Sequence, residues 1–167
     1  MTFLLFNVIP CYADNEEGWI PPLRERGHDV VRFRWNGNVS SSSLRDAAAD
    51  LSSMIRGYGS VVLVSYSLGT QIALLSGGLV RIDRIISLCG VYGHNTIPFP
   101  FIDIRSVDDH FGNLCHAFLN VFSSRSNTIG TVLLESIRHD QFGLDTTISS
   151  GSFREHRISE IIEHFLA

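Results

Sequence analysis

Residues 61–70 read Val61-Val62-Leu63-Val64-Ser65-Tyr66-Ser67-Leu68-Gly69-Thr70 and join an apolar run to a helix-like stretch. A short run of branched apolar residues is typical of a buried strand. The pattern Ser-x-Ser-x-Gly puts compact residues two positions before and two positions after Ser67, as a sharp strand-to-helix turn requires. The stretch therefore predicts that Ser67 presents its hydroxyl above the end of a strand, at the N-terminus of a helix, where the Leu68 amide favours a developing oxyanion.

Apolar runs like this one alternate with helix-like stretches along the whole chain. We predict strands at residues 3–9, 30–34, 60–65, 84–88, 101–105 and 131–135. We predict helices that start at Pro21, at Ser43 with a carboxylate three residues on, at Leu68, and near Glu155. Continuous apolar strands separated by helices are typical of a parallel sheet covered on both faces. The expected fold is one α/β domain over residues 1–167, a three-layer α/β/α sandwich with about six mostly parallel strands.

Composition narrows the class of protein. A chain of 167 residues that is 44% apolar and 18% charged suits a single compact domain. No apolar run approaches the roughly 20 residues of a membrane span, and residues 2–9 lack the basic start of a signal peptide. A net charge of −4 without a basic block disfavours nucleic acid as a partner. Three cysteines without a CxxC pair argue against a disulfide framework, so we expect a cytoplasmic protein.

All thirteen basic residues are arginine, because the sequence contains no lysine. A phosphate-binding P-loop needs a lysine, and so does Schiff-base chemistry with pyridoxal or with carbonyl substrates. The sequence therefore excludes both of these enzyme classes.

With the Ser67 turn in this setting, the sequence resembles the α/β-hydrolase superfamily over nearly the whole chain. The family's turn is usually Gly-x-Ser-x-Gly; here Ser65 replaces the first glycine, and Thr70 stands where another glycine is frequent. The short chain is similar to the compact serine hydrolases that lack a lid. The resemblance implies a nucleophile, an acid and a histidine in that order along the chain.

The resemblance also implies which residues complete the triad. Asp109 follows the strand at 101–105 and stands where the family's acid turn has its carboxylate; its neighbour Asp108 remains an alternative. His139 follows the last predicted strand, in a segment similar to the family's histidine loop, and would be the general base.

Further site residues follow from the same resemblance. The Leu68 amide would be one oxyanion donor, and the amide of Cys11 or Tyr12 would be the second, in a loop where the family often shows His-Gly. Aromatic residues are expected to line a shallow substrate cleft: Tyr12, Trp19, Tyr66, Tyr92 and Phe99.

The predicted function is hydrolysis of a carboxylic ester or thioester, on a small-molecule or acyl-carrier-linked substrate. Ser67 would attack the carbonyl and water would release the acyl group, so neither a cofactor nor a metal is required. The alternative is a binding protein on a hydrolase scaffold with a degenerate site, which the departure at Cys11 favours.

A metal site is a second, weaker alternative. Residues with good ligand types cluster in one segment: Asp108, Asp109, His110, Cys115 and His116. Their spacing matches none of the HxxxH, HExxH or paired-cysteine patterns, so the sequence disfavours a metal at this place.

Overall fold

The computed structural model describes residues 2–9, 17–35, 40–93, 97, 99–120 and 130–166. Its sheet has six strands: β1 (Leu4–Ile9), β2 (Asp29–Arg34), β3 (Val62–Tyr66), β4 (Arg84–Leu88), β5 (Phe101–Ser106) and β6 (Gly130–Leu134). Their order is β2-β1-β3-β4-β5-β6, and every pairing is parallel. The predicted α/β fold with about six parallel strands is confirmed.

Within the described residues, five α-helices accompany the sheet: α1 (Ile20–Glu25), α2 (Ser41–Ile55), α3 (Gly69–Gly77), α4 (His110–Asn120) and α5 (Ile158–Leu166). A short 3-10 helix spans His139–Gly143. Helices α1 and α5 contact each other, and so do α2 and α3. In the part of the chain that the structure describes, no helix is long and apolar enough to cross a membrane.

Two apolar cores form on opposite faces of the sheet. Successive side chains of a strand point to opposite faces, and β1 shows this alternation. Leu5 and Ile9 pack in a core that includes residues of α1 and α5, whereas Phe6 and Val8 pack in a core that includes residues of α2 and α3. The helices therefore form the two outer layers of a three-layer sandwich.

The order of the strands sets where a ligand site is expected. From β1 the chain moves to β2 on one side and then returns to place β3 on the other side. In open parallel sheets, ligands bind outside the carboxyl ends of the strands at such a switch point. Ser67 directly follows β3, at this place.

Three details of the helices differ from the sequence-based expectation, and the first is that α5 begins at Ile158, three residues after the predicted start near Glu155. Helix α2 starts two residues earlier than predicted, because Ser40 is the N-cap and its hydroxyl accepts a hydrogen bond from the Ser43 amide at 3.2 Å. The Ser43 hydroxyl accepts instead from the Trp35 indole N–H, also at 3.2 Å. Helix α4 was not predicted.

Candidate active site

Ser67 occupies the tight turn between β3 and α3. Its φ is 53°, a left-handed conformation that costs a non-glycine residue about 1–3 kcal/mol. Backbone hydrogen bonds hold the turn: the Ser67 amide donates to the Leu88 carbonyl at 3.0 Å, and the Ser67 carbonyl accepts from the Thr70 and Val91 amides. The strand, the turn and the helix follow one another as the sequence predicts, and they fix Ser67 in a conformation it would rarely adopt alone.

Gly69 is required where the turn enters α3. A Cβ on Gly69 would lie 3.0 Å from the Val8 carbonyl carbon and closer still to the carbonyl oxygen. Contacts below 3.0 Å force the backbone to move, so α3 can approach β1 this closely only with glycine at position 69.

The two departures from a glycine-rich turn, Ser65 and Thr70, contact each other. Their hydroxyl oxygens lie 2.8 Å apart, and the Thr70 hydroxyl lies 2.9 Å from the Ser87 hydroxyl. All three side chains are buried, so this chain of hydrogen bonds satisfies each of them and ties β3, α3 and β4 together. Gly90 leaves room for these hydroxyl groups, because a Cβ at position 90 would lie 2.9 Å from the Thr70 hydroxyl oxygen.

His139 begins the 3-10 helix that follows β6, and it lies between Ser67 and Asp109. Its Nε2 is 2.8 Å from Ser67 Oγ, and its Nδ1 is 2.9 Å from Asp109 Oδ2. A carboxylate only accepts hydrogen bonds, so Nδ1 carries the proton and Nε2 accepts from the serine hydroxyl. The Tyr66 hydroxyl donates to the His139 carbonyl at 2.9 Å, and the two rings are 5.5 Å apart.

Asp109 and Asp108 have different surroundings. Asp109 is buried, and its second carboxylate oxygen accepts from the Gly112 amide at 2.8 Å. Asp108 is exposed and accepts from the Ser136 amide instead. Of the two carboxylates that the sequence left open, the structure therefore brings Asp109 to His139.

Gly112 leaves room for the contact between the acid and the histidine. A Cβ at position 112 would lie 2.5 Å from His139 Nδ1 and closer still to Asp109 Oδ2. The first turn of α4 can therefore pass over this hydrogen bond only because residue 112 has no side chain.

A buried ion pair joins β5 to neighbouring segments of the candidate site. The Arg105 Nε donates to Asp103 Oδ2 at 2.9 Å, and its other nitrogens donate to the Asn113 side-chain oxygen at 3.2 Å and to the Gly90 carbonyl. The Tyr92 hydroxyl donates to the same Asp103 oxygen at 2.9 Å. Arg105 thus links β5, the segment after β4 and α4. Sequence analysis missed this pair; its signal is two charged residues at alternate positions of an apolar strand, which places both side chains on one face of the sheet.

Cys89 is one residue of the candidate site that sequence reasoning missed. It follows β4 with a φ of 42° and is fully buried. Burial, together with the nearby Asp109 carboxylate, raises the pKa of the Cys89 thiol well above its ordinary value. The thiol is therefore protonated at neutral pH and is a poor nucleophile.

A group of possible metal ligands lies at the same place. Among the described residues, one group of three has ligand atoms that all lie within 4.8 Å of one another: Cys89, Asp109 and His139. The alternative cluster that starts at Asp108 does not form such a group: His110 is exposed, and the His116 ring packs on Tyr92 with its Nδ1 3.4 Å from the Tyr92 amide.

The predicted oxyanion donors fall partly outside the described residues. Leu68 is the N-cap residue of α3 and directly follows Ser67, so its amide belongs to the N-terminal end of the helix, where the helix field favours negative charge. Cys11 and Tyr12, the predicted second donors, lie outside the described residues.

Four of the five expected cleft residues are described, and they lie in different places, whereas Tyr12 lies outside the described residues. Tyr66 contacts the His139 ring, as described above. Trp19 and Tyr92 are fully buried in the two cores, and this corrects the prediction that they line an open cleft. Phe99 is half-buried and packs against Gly77 of α3. The periodicity of a sequence does not distinguish an aromatic ring in a core from one in a cleft.

A second aromatic residue contacts the histidine and was not predicted. The Phe111 ring lies 5.2 Å from the His139 ring, nearly perpendicular to it.

No protein-family model matches this sequence, and no curated protein matches it.

Proposed function

We propose that the chain is a serine hydrolase that cleaves a carboxylic ester or thioester. The observation that carries this proposal is the unbroken line of hydrogen bonds from Ser67 Oγ through His139 to the buried Asp109, at 2.8 and 2.9 Å. Residues from three separate parts of the chain meet in this line, in the order serine, aspartate, histidine that the α/β-hydrolase pattern requires. The parallel sheet and the tight turn at Ser67 also suit membership of that superfamily.

Acylation would begin with the serine hydroxyl. His139 Nε2 accepts the proton while Ser67 Oγ forms a bond to the carbonyl carbon. The Asp109 carboxylate, held by Nδ1 and by the Gly112 amide, stabilises the imidazolium that results. The Leu68 amide, together with one from the segment after β1, would bind the oxyanion; losing one such donor typically costs about 3–4 kcal/mol in the barrier.

Collapse of the tetrahedral intermediate completes the first half-reaction. The bond from the carbonyl carbon to the leaving oxygen or sulfur breaks, and the leaving group takes the proton from His139 Nε2. Water then gives a proton to His139 and attacks the acyl-enzyme, and the acid departs as Ser67 regains its hydrogen. These two half-reactions balance in atoms and protons, and they need no cofactor.

Turnover of simple esters and thioesters tests this proposal. The panel comprises 4-nitrophenyl esters and acyl-coenzyme A thioesters of two to eight carbons. Ser67→Ala is expected to lose about 10⁴–10⁶-fold in turnover, because members of a triad act as a unit. Ser76→Ala is the matched control, since Ser76 is a buried serine of α3 whose hydroxyl donates to the Ala73 carbonyl.

Two results would count against the proposal. If Ser67→Ala hydrolyses these substrates at the wild-type rate, the triad assignment is wrong. If the folded wild-type protein hydrolyses none of them, a binding protein on a hydrolase scaffold becomes the better account.

A further inference from the structure

Two large apolar side chains are exposed on α4, directly after the proposed catalytic acid. Phe111 is 64% exposed and Leu114 is 73% exposed. Residues three apart in a helix lie on the same side of it, so these two side chains form one surface, the α4 apolar surface. Contiguous exposed apolar side chains are typical of binding sites, because their burial by a ligand is favourable.

This surface adjoins the catalytic histidine. The Phe111 ring centroid lies 5.2 Å from that of His139, at an interplanar angle of 70°. Tyr66 also contacts the His139 ring, but it is buried and its hydroxyl is bound to the His139 carbonyl. Tyr66 therefore holds the histidine in place, whereas Phe111 contacts the same ring and keeps most of its own surface open.

The chemistry of acylation determines which part of a substrate comes close to His139. The carbonyl carbon binds Ser67 Oγ, but the leaving oxygen or sulfur must lie within hydrogen-bond distance of His139 Nε2, which gives it a proton. The substituent on that leaving atom therefore begins next to the His139 imidazole, the ring against which Phe111 packs. The acyl group is attached to the other side of the scissile bond.

We infer that Phe111 and Leu114 bind the apolar alcohol or thiol portion of the substrate. The inference rests on the proposed function and adds the chemical class of the leaving group: an alkyl or aromatic alcohol or thiol. When the bond from the carbonyl carbon to the leaving atom breaks, this group departs as the free alcohol or thiol. The contact with the α4 apolar surface is then lost before water attacks, so it acts on acylation and not on deacylation.

Kinetics with one acyl group and different alcohols test the inference. The substrates are the acetate esters of methanol, butanol and hexanol, which all form the same acetyl-enzyme. For Phe111→Ala, we expect kcat/KM for hexyl acetate to fall about tenfold relative to methyl acetate, with a smaller fall for Leu114→Ala. The rate of deacylation, measured in single turnovers, is expected to stay unchanged.

The matched control is Tyr58→Ala. Tyr58 is an exposed aromatic residue that contacts another ring, that of Phe6, and it lies between α2 and β3, at the amino end of the strands. The ratio of kcat/KM for hexyl and methyl acetate is expected to stay at the wild-type value in this variant.

Two kinetic results would overturn the inference. An equal loss for methyl and hexyl acetate, or a slower deacylation, would mean that Phe111 only positions His139. A selectivity that follows the acyl chain in a series of methyl esters, and not the alcohol, would assign the surface to the acyl group.

A binding measurement does not depend on turnover. In a ¹H–¹⁵N NMR titration with 1-hexanol, we expect shifts of the amides at 111–114 in the wild type and in Ser67→Ala, and their loss in Phe111→Ala. Absence of these shifts in the folded wild-type protein would overturn the inference. If hexanol binds at α4 but no ester is cleaved, the proposed function fails and the binding surface stands.

Discussion

At the scale of single residues, two adjacent carboxylates after β5 have different chemical surroundings. Asp109 is buried against His139, and Asp108 is exposed beside Ser136. The resemblance favoured Asp109 and left Asp108 open, because a shift of one residue in a turn decides which side chain faces inward. The path of the chain from β5 into α4 makes Asp109 the carboxylate that faces His139.

Because their surroundings differ, replacing each carboxylate by an amide is expected to have a different effect on turnover. Asp109→Asn is expected to lower turnover by about 10⁴-fold, since an amide cannot hold the imidazole tautomer that accepts the serine proton. Asp108→Asn keeps an oxygen that can accept from the Ser136 amide and is expected to change turnover less than tenfold. Steady-state kinetics of both variants check this ranking, and the reverse ranking would move the acid to Asp108.

Gly112 gives a second test at this scale. In Gly112→Ala the new methyl group would meet the Asp109 and His139 side chains, and we expect a loss of about 100-fold in kcat, the effect of a displacement of roughly 1 Å. Gly130→Ala is the control, because a Cβ there meets nothing within 4 Å. Equal activity of the two variants would show that α4 does not confine the contact between acid and histidine.

At the scale of elements, the strands were predicted within a few residues, but α4 was missed. Buried parallel strands are continuous apolar runs, and such runs are visible in the sequence. Helix α4 contains Gly112 and Asn113, which have low helix propensity. Contacts that the sequence does not show compensate for them: Asn113 donates to the Ser106 carbonyl and accepts from Arg105.

Helix α5 shows how local contacts set a helix start. The Glu160 carboxylate accepts from the Arg157 amide at 3.1 Å, just before the first residue of α5, and this bond lowers the pKa of Glu160 below its ordinary value of 4.5. A carboxyl group with a lowered pKa in the folded state stabilises the fold at pH values above 4.5. That stabilisation is lost as the pH falls through the lowered pKa.

Glu160→Gln tests this contribution. At pH 7 we expect the free energy of unfolding to fall by a few tenths of a kcal/mol, a small value because the Glu160 side chain is 36% exposed and solvent screens its charge. At pH 3 the difference from the wild type is expected to shrink. Urea unfolding at both pH values measures it, with the exposed Glu25→Gln as the control. A larger difference at pH 3 than at pH 7 would contradict this sign.

At the scale of the whole molecule, the sheet brings together residues that lie far apart in the chain. Ser67, Asp109 and His139 follow β3, β5 and β6, and the carboxyl ends of parallel strands share one edge of the sheet. In the α/β-hydrolase pattern the nucleophile, the acid and the histidine follow strands of such a sheet, which is why the resemblance could name Ser67, Asp109 and His139 as candidates. The burial of Trp19 and Tyr92 could not be predicted in this way, because it depends on how the layers pack.

The alkylation rate of the Cys89 thiol measures how tightly the protein packs around this residue. Cys89 is fully buried, its sulfur lies within 4.8 Å of ligand atoms of Asp109 and His139, and burial raises the pKa of its thiol. Alkylation by iodoacetamide is expected to be at least about 10³-fold slower in native buffer than in urea, since an opening of roughly 5 kcal/mol must come first. Peptide mapping measures the rate, and the partly exposed Cys115 is the internal comparison. Equal native rates for the two thiols would contradict the packing described here.

The most direct test of the central claim is covalent labelling by a fluorophosphonate, because this probe reacts with a serine only where a neighbouring base activates it. We predict one adduct per chain, mapped by mass spectrometry to Ser67, and strongly slowed labelling in His139→Ala. We also predict no adduct in Ser67→Ala, whose fold is checked by circular dichroism. A folded wild-type protein that stays unlabelled, or a Ser67→Ala variant that labels at the wild-type rate, would contradict the claim.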